Sequence, residues 1–309
     1  MNKIINLYKP SGPTSFDMVW KVKSLLGVKK AGHLGTLDPL AEGVLPICLD
    51  RATKIIQFLS SVPKVYRAVL ELGAATDTQD ATGKVVARGN ADPVTEEAVR
   101  TVLGRFPGKQ NQVPPMFSAK KKKGIPLYKL ARNGITIDRK PVSIFIHSLE
   151  FLKKEGNRVE FEVKCSAGTY VRTLCHDIGS ILGCEAHLVE LVRTQAGLFD
   201  LNSSLTLKEL ETAQADGTLV GKLVSLEKAL DFLPEIRVKK SFVHSIANGV
   251  ALSKSSLESV PRQFQPGMNL RVSNGNHNLL AIVEPVVDQD HFARLAPGDV
   301  VFKLKRVLV

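Results

Sequence analysis

The sequence predicts an α+β protein in two parts: a larger unit mixing strands with flanking helices, then a small β-barrel. Three observations carry this. At 309 residues the chain exceeds one ordinary domain of roughly 100–200 residues, so a large and a small unit are expected. With 44% hydrophobic and 23% charged residues it can bury a core and is not a disordered tail. Strand-like and helix-like segments intermix up to Pro234, and beyond it short strand-like runs broken by Gly and Asn take over.

Residues 4–8 read as a short strand, and Lys9-Pro10-Ser11-Gly12-Pro13 as turn chemistry. Ser15 is expected to cap a helix over 16–26, which Gly27 ends. A loop follows over 29–43, then a buried strand at 44–49 and a short helix at 52–59. Residues 65–72 alternate as a strand, and the turn Asp80-Ala81-Thr82-Gly83 leads to another at 84–87. Thr95 opens an amphipathic helix to about Leu103, with Glu96 and Glu97 in the first turn, where the helix dipole favours acids.

From Gly108 to Lys140 positive charge concentrates in the run Lys120 to Lys123, then Lys129, Arg132, Arg139 and Lys140, opposed only by Asp138. Strands resume at 142–151 and 158–165, a helix at 169–182 and an apolar segment at 186–192. Residues 207–213 and 226–232 are weakly helical, and Pro234 is the expected boundary. The barrel is read from strand-like runs at 281–283, 292–295 and 300–304, punctuated by Gly267, Gly275 and Gly298.

Lys and Arg number 42 against 30 Asp and Glu, a formal charge of +12, which points to a polyanionic partner. No window nears the roughly 18 unbroken apolar residues of a membrane span. The first ten residues lack the apolar stretch of a signal peptide. Neither membrane insertion nor secretion is therefore expected. Cys48, Cys165, Cys175 and Cys184 form no C-x-x-C pair or His/Cys ladder, so buried reduced thiols are expected and no metal.

Chemistry concentrates in a few segments. The stretch Ala31-Gly32-His33-Leu34-Gly35-Thr36-Leu37-Asp38-Pro39-Leu40-Ala41-Glu42-Gly43 is a tightly specified loop, and Pro39 holds Asp38 to extended conformations that can aim its carboxylate outward. An Asx-turn is the plainer use of Asp38. Tyr66 lies on a strand, where packing is the ordinary role. Tyr170 and Arg172 fall in the first turn of a helix that Thr169 can cap. The dipole disfavours an arginine there, so an anionic partner is expected, or else a surface salt bridge. The segment 186–193 is mostly core by pattern.

Together these segments resemble one family, the bacterial tRNA pseudouridine-55 synthases of the TruB type, whose catalytic core is shared with the guide-RNA-dependent pseudouridine synthases. The resemblance runs through Leu7-Tyr8-Lys9-Pro10-Ser11-Gly12-Pro13-Thr14-Ser15, the loop from Gly32 to Gly43, and Val65-Tyr66-Arg67-Ala68. It continues through Gln112-Val113-Pro114-Pro115-Met116-Phe117-Ser118-Ala119, Leu127-Tyr128-Lys129-Leu130-Ala131-Arg132-Asn133-Gly134, Gly168-Thr169-Tyr170-Val171-Arg172 and Gly183-Cys184-Glu185-Ala186-His187-Leu188. It departs at Leu34, where the family usually has Thr or Ser, at Glu42, where Thr is common, and at Asp50, where Gly is frequent.

The resemblance implies a mixed, mainly antiparallel sheet with flanking helices over 1–233, carrying an RNA-gripping insertion at about 108–140 that is mobile until RNA binds. It also implies a PUA-like RNA-binding barrel over 235–309, contacting the acceptor stem through backbone. The implied reaction detaches uracil from ribose in the T-loop of tRNA, turns it and reattaches it through carbon, after the base leaves its stack. No cofactor, metal, membrane or obligate protein partner is expected, and the location is cytoplasmic. Asp38 would be the catalytic aspartate, Arg172 its partner, and Tyr66 the tyrosine that stacks on uracil and helps remove the C5 proton. Leu191 would line the pocket and His33 would fill the space left by the displaced nucleotide. Lys9, Tyr170, Lys120, Lys121, Lys122 and Arg132 would contact the substrate. A secondary role in tRNA folding, and dependence on a guide RNA, are the competing expectations.

Overall fold

A nine-stranded sheet forms the body of the protein, and a separate six-stranded sheet forms the C-terminal barrel. The computed structural model describes all residues except Lys123 and His277, so the last lysine of the run at 120–123 lies outside the described residues. In chain order the first elements are β1 (Ile4–Lys9), α1 (Ser15–Leu26), β2 (Ala31–His33), β3 (Glu42–Leu49), α2 (Ile56–Leu59), β4 (Lys64–Leu72), β5 (Ala74–Thr76), β6 (Val85–Arg88) and α3 (Glu96–Leu103). Then come β7 (Gly108–Gln112), β8 (Lys121–Lys122), β9 (Ile125–Pro126), α4 (Leu127–Arg132), β10 (Val142–Glu155), β11 (Arg158–Cys165), α5 (Val171–Leu182), β12 (Ala186–Ala196) and β13 (Phe199–Asp200). The chain continues through α6 (Leu207–Ala215), α7 (Leu226–Ala229), β14 (Glu235–Val238), α8 (Val243–Ala247), β15 (Leu252–Ser253) and β16 (Leu257–Ser259). It closes with β17 (Leu270–Ser273), β18 (Leu279–Pro285), α9 (Gln289–Phe292) and β19 (Val300–Val307).

The main sheet runs β1-β3-β12-β4-β11-β10-β7, with β2 against β3 and β13 against β12. Its pairings are antiparallel except β3 with β12, which meet in parallel at Glu42 and Gly43 opposite Val192 and Arg193. That junction explains Gly43. Its φ is +100°, and a Cβ there would lie 2.3 Å from the Arg193 carbonyl oxygen. The second sheet runs β15-β19-β18-β17-β14-β16. Alternation works as expected along β4, where Tyr66, Ala68, Leu70 and Leu72 turn to the core.

Two local corrections bear on the site. Ser15 does not cap α1. Thr14 does, because Asp17 three residues on completes a reciprocal pair: the Asp17 amide donates to Thr14 Oγ1 at 3.1 Å and the Thr14 amide to Asp17 Oδ2 at 2.8 Å. Ser15 is thereby free to face inward. Thr169 does not cap α5 either. Its hydroxyl donates to the Ser166 carbonyl, and Tyr170 stands at the N-cap with no side-chain bond to the helix.

Elsewhere, 292–295 is no strand. Asp288 caps the short helix α9 and Phe292 ends it, packed edge-on to Phe264 at 5.7 Å. The basic stretch carries secondary structure: its first five residues are β7, an edge strand of the main sheet, and the hairpin β8–β9 and helix α4 follow. Asp50 has φ +48°, the left-handed region where glycine is at ease. Its carboxylate holds this turn by accepting from the amides of Lys29 and Lys30. Leu34 is buried, and Glu42 accepts from the Tyr8 hydroxyl at 2.6 Å.

All four cysteines are buried and free. Among the described residues no helix is long and apolar enough to cross a membrane.

Ser15 Oγ accepts from the Leu37 amide at 2.8 Å and donates to the Leu37 carbonyl at 3.0 Å, joining α1 to the loop that carries Asp38. Ser15→Ala leaves both buried backbone groups without this partner. It should destabilise the protein by about 1–3 kcal/mol in urea unfolding, with no change in m.

Candidate active site

A cleft of about 710 Å³ lies where the loop before β3, the strands β4 and β12, the start of α5 and the insertion meet. Its walls include Asp38, Tyr66, Arg172, His33, Tyr170, Leu191 and Arg132, residues drawn from widely separated parts of the chain. Lys9, Lys120, Lys121 and Lys122 are not among its lining residues.

The loop that presents Asp38 is held at nearly every residue. Leu34 and Leu37 are buried on either side of Gly35, and the Leu34 amide donates to the Pro46 carbonyl. Gly12 N–H donates to the Pro39 carbonyl at 2.9 Å, and Ala41 N–H to that of Asp38 at 3.1 Å. Lys9 completes the clamp and corrects the expectation that it meets substrate. It is fully buried, and its ammonium donates to the carbonyls of Pro10, Pro39 and Ala41 at 2.9, 3.2 and 2.6 Å. Inward-facing carbonyls cut off from water need donors, and a lysine supplies three. Burial pushes the Lys9 pKa down to about 8, with Glu42 and Asp38 opposing.

So fixed, the Asp38 carboxylate faces the cleft with its side chain 40% exposed, and Arg172 Nη2 lies 3.1 Å from Oδ2. Arg172 itself is only 5% exposed, which excludes the surface salt bridge. Its other terminal nitrogen lies 3.9 Å from Asp80 Oδ2, a longer-range ion pair. Asp80 does serve the turn read from the sequence: its Oδ1 accepts from the Thr82 amide and from the Thr78 and Thr82 hydroxyls. The remaining oxygen faces Arg172. Burial in the cleft wall pushes the Asp38 pKa up, with Arg172 and Lys9 opposing and Asp80 adding to the rise.

Tyr66 is almost fully buried on β4, and burial raises its pKa while Arg193, which reaches the phenol, opposes. Arg193 sits opposite Tyr66 in the β12–β4 register. It is 1% exposed, its Nε donating to the Val44 carbonyl at 2.6 Å and Nη2 to that of Gly35 at 3.2 Å. Lys64, two residues before Tyr66 on the same face, is pushed down to about 8 by burial and donates to the Ser60 carbonyl. Burial also lowers the His33 pKa, favouring the neutral ring, whose Nδ1 is buried without a partner among the described residues. Leu191 is both core and cleft wall.

Tyr170 is fixed through its backbone: its amide donates to Gln112 Oε1 at 2.8 Å and its carbonyl accepts from Gln112 Nε2 at 3.0 Å. Its ring centroid lies 5.7 Å from the Arg172 guanidinium carbon. Arg132 and Tyr128 on α4 also line the cleft, so the insertion contributes to its wall. Lys120, Lys121 and Lys122 stand exposed on the outer part of that insertion. Sequence reasoning missed Ser15, Asp80, Gln112 and Arg193 as parts of the site. Asp80 was visible as a turn residue and Arg193 as a charge in an apolar strand, but nothing local linked either to Asp38.

Two family descriptions match the chain: TruB family pseudouridylate synthase, N-terminal domain, over residues 23–171, and tRNA pseudouridylate synthase B C-terminal domain over 172–231. The tRNA pseudouridine synthase B of Pelotomaculum thermopropionicum is 42% identical over 289 residues, 92% of this chain and 91% of that protein. That of Geotalea uraniireducens is 47% identical over 250 residues, 81% of each. Among solved structures, a chain of a Cbf5–Nop10–Gar1 complex is similar with a TM-score of 0.80 and 28% identity, covering 99% of this chain and 85% of that one. A chain of the archaeal box H/ACA Nop10–Cbf5 complex is similar with a TM-score of 0.78, covering 100% and 86%.

The opposing influences on Asp38 can be separated. A carbon-13 NMR titration of its side-chain carboxyl should give an ionisation above the ordinary aspartate range. In Arg172→Gln, with the neighbouring cation gone, ionisation should move to still higher pH, so the carboxylate is lost earlier as pH falls.

Proposed function

The chain belongs to the TruB family of pseudouridylate synthases, and on that premise we propose that it isomerises uridine to pseudouridine at position 55, in the T-loop of tRNA. The observation that carries the reading is the Asp38 carboxylate, paired with a buried arginine at the wall of a cleft roomy enough for a flipped nucleotide. The reaction breaks the N1–C1′ bond, turns the uracil and forms C5–C1′. A proton leaves C5 and one is gained at N1, so atoms and electrons balance.

Asp38 acts in its ionised form, as nucleophile at C1′ or C6 or as the base that assists glycal formation. Arg172 keeps it ionised against the burial that favours protonation, and Asp80 is a positioning residue that holds Arg172 from the other side. Tyr66 stacks on the uracil and helps remove the C5 proton; burial raises its pKa and Arg193 opposes that rise. Leu191 packs against the base. His33, neutral and flat, occupies the gap that the nucleotide leaves, offsetting part of the roughly few kcal/mol of unstacking.

The exposed lysines of the insertion grip the phosphate backbone, and the barrel over 235–309 contacts the acceptor stem, leaving 1–233 as the catalytic unit. The protein acts in the cytoplasm on tRNA alone, without a guide RNA or protein partner.

Purified protein should form pseudouridine in an unmodified tRNA transcript, mapped at one T-loop uridine. Asp38→Asn should lower the rate roughly a thousand-fold or more while tRNA affinity stays within a few-fold. Modification by that variant at the wild-type rate overturns the assignment. Charge reversal at Lys120, Lys121 and Lys122 should weaken binding and reduce the slope of log K against log salt by about one for each lysine on a phosphate.

A further inference from the structure

Helix α1 turns a row of apolar side chains to solvent beside the cleft. Phe16 is 73% exposed and Trp20, one turn further on, is 61% exposed. Residues four apart on a helix lie above one another, so the two rings form one ridge. The buried residues Ser15, Met18, Val19 and Val22 occupy a different stripe, so core packing does not account for the ridge. Large exposed aromatics in a row mark a contact surface more often than chance exposure.

What covers them can be argued from their surroundings. Phe16 is itself part of the cleft wall, so the ridge adjoins whatever occupies the cleft. Lys21, Lys23, Lys29 and Lys30 are all exposed along and just beyond α1, while the helix's acid, Asp17, is engaged in the Thr14 cap. The occupant is therefore polyanionic and presents flat apolar faces. Unstacked bases on a phosphate backbone have both properties, whereas a paired duplex hides its base faces.

We propose that Phe16 and Trp20 form a stacking ridge for unpaired bases of the substrate RNA next to the nucleotide drawn into the cleft. This rests on the reading above, that RNA is the substrate. The ridge would hold open the disrupted strand from which the target nucleotide has been taken, with the lysines on the adjoining phosphates. His33 fills the gap itself; the ridge receives the neighbours.

Trp20 is the chain's one tryptophan, so its fluorescence reports on the ridge directly. Titration of wild-type protein with an unmodified tRNA transcript should quench that emission saturably, at the concentrations that give binding by filter retention. A perfectly paired RNA duplex of equal length should quench it much less. Trp20→Ala should weaken tRNA binding roughly five- to hundred-fold, the span that base–aromatic stacking covers, and Trp20→Phe should restore most of the loss. Phe16→Ala should weaken it in the same direction. Unchanged emission with tRNA demonstrably bound overturns the proposal, as do affinities within two-fold of wild type in both alanine variants. Emission that shifts with protein concentration in the absence of RNA, alongside dimerisation in sedimentation, assigns the ridge to a second copy of this chain and equally overturns it. Pseudouridine formation by the wild type is scored separately, so a failure of the functional reading is distinguishable from a failure of the ridge.

Discussion

A buried guanidinium sets the terms for everything around the cleft. Arg172 sits in the first turn of α5, where the helix dipole already disfavours a cation, and almost none of it reaches water. Such a charge is tolerable only with anions close by, since desolvation removes several kcal/mol of hydration. Asp38 and Asp80 are those anions, and each must in turn be held. Asp80 is secured by the turn hydroxyls and an amide, and Asp38 by a loop tied to Ser15 and Lys9. Electrostatic need at one atom group thus propagates into constraints on a helix start, a turn and a loop.

The same need leaves the floor of the cleft with an unusual composition. Lys64 and Arg193 lie beside Tyr66, both buried and both donating to main-chain carbonyls. Burial raises the Tyr66 pKa against Arg193, burial and then Arg193 tilt the His33 ring toward neutrality, and burial lifts Asp38 toward protonation against Arg172.

Much of this was legible in the sequence because it is local. The strand alternation around Tyr66, the Asp38–Pro39 step and the misplaced charge of Arg172 each carry their physics within a few residues. The resemblance to the synthases then joined Asp38 to Arg172 across more than a hundred positions. What escaped notice depends on tertiary neighbours. Thr14 and Ser15 are both good caps, and only the reach of Asp17 and the position of Leu37 assign one to the helix and the other to the loop. Lys9 looks like a substrate contact until three inward carbonyls are seen around it. In the barrel, strands as short as Leu252–Ser253 and Leu257–Ser259 hold little periodicity, and Phe292 reads as strand although its ring closes a helix.

The hydrophobic contacts do not divide where the two sheets do. Leu279, Ile282 and Leu308 of the barrel share a buried cluster with Ile4, Val44 and Cys48 of β1 and β3, and with Leu226, Leu230 and Leu233 between the sheets. Lys54 also donates to the carbonyl of Val307 across that seam. The barrel thus shares a core with the strand that follows the Asp38 loop, and its removal would expose apolar side chains of β1 and β3. Damage to it would surface as faulty catalysis, far from any residue that touches the reacting base.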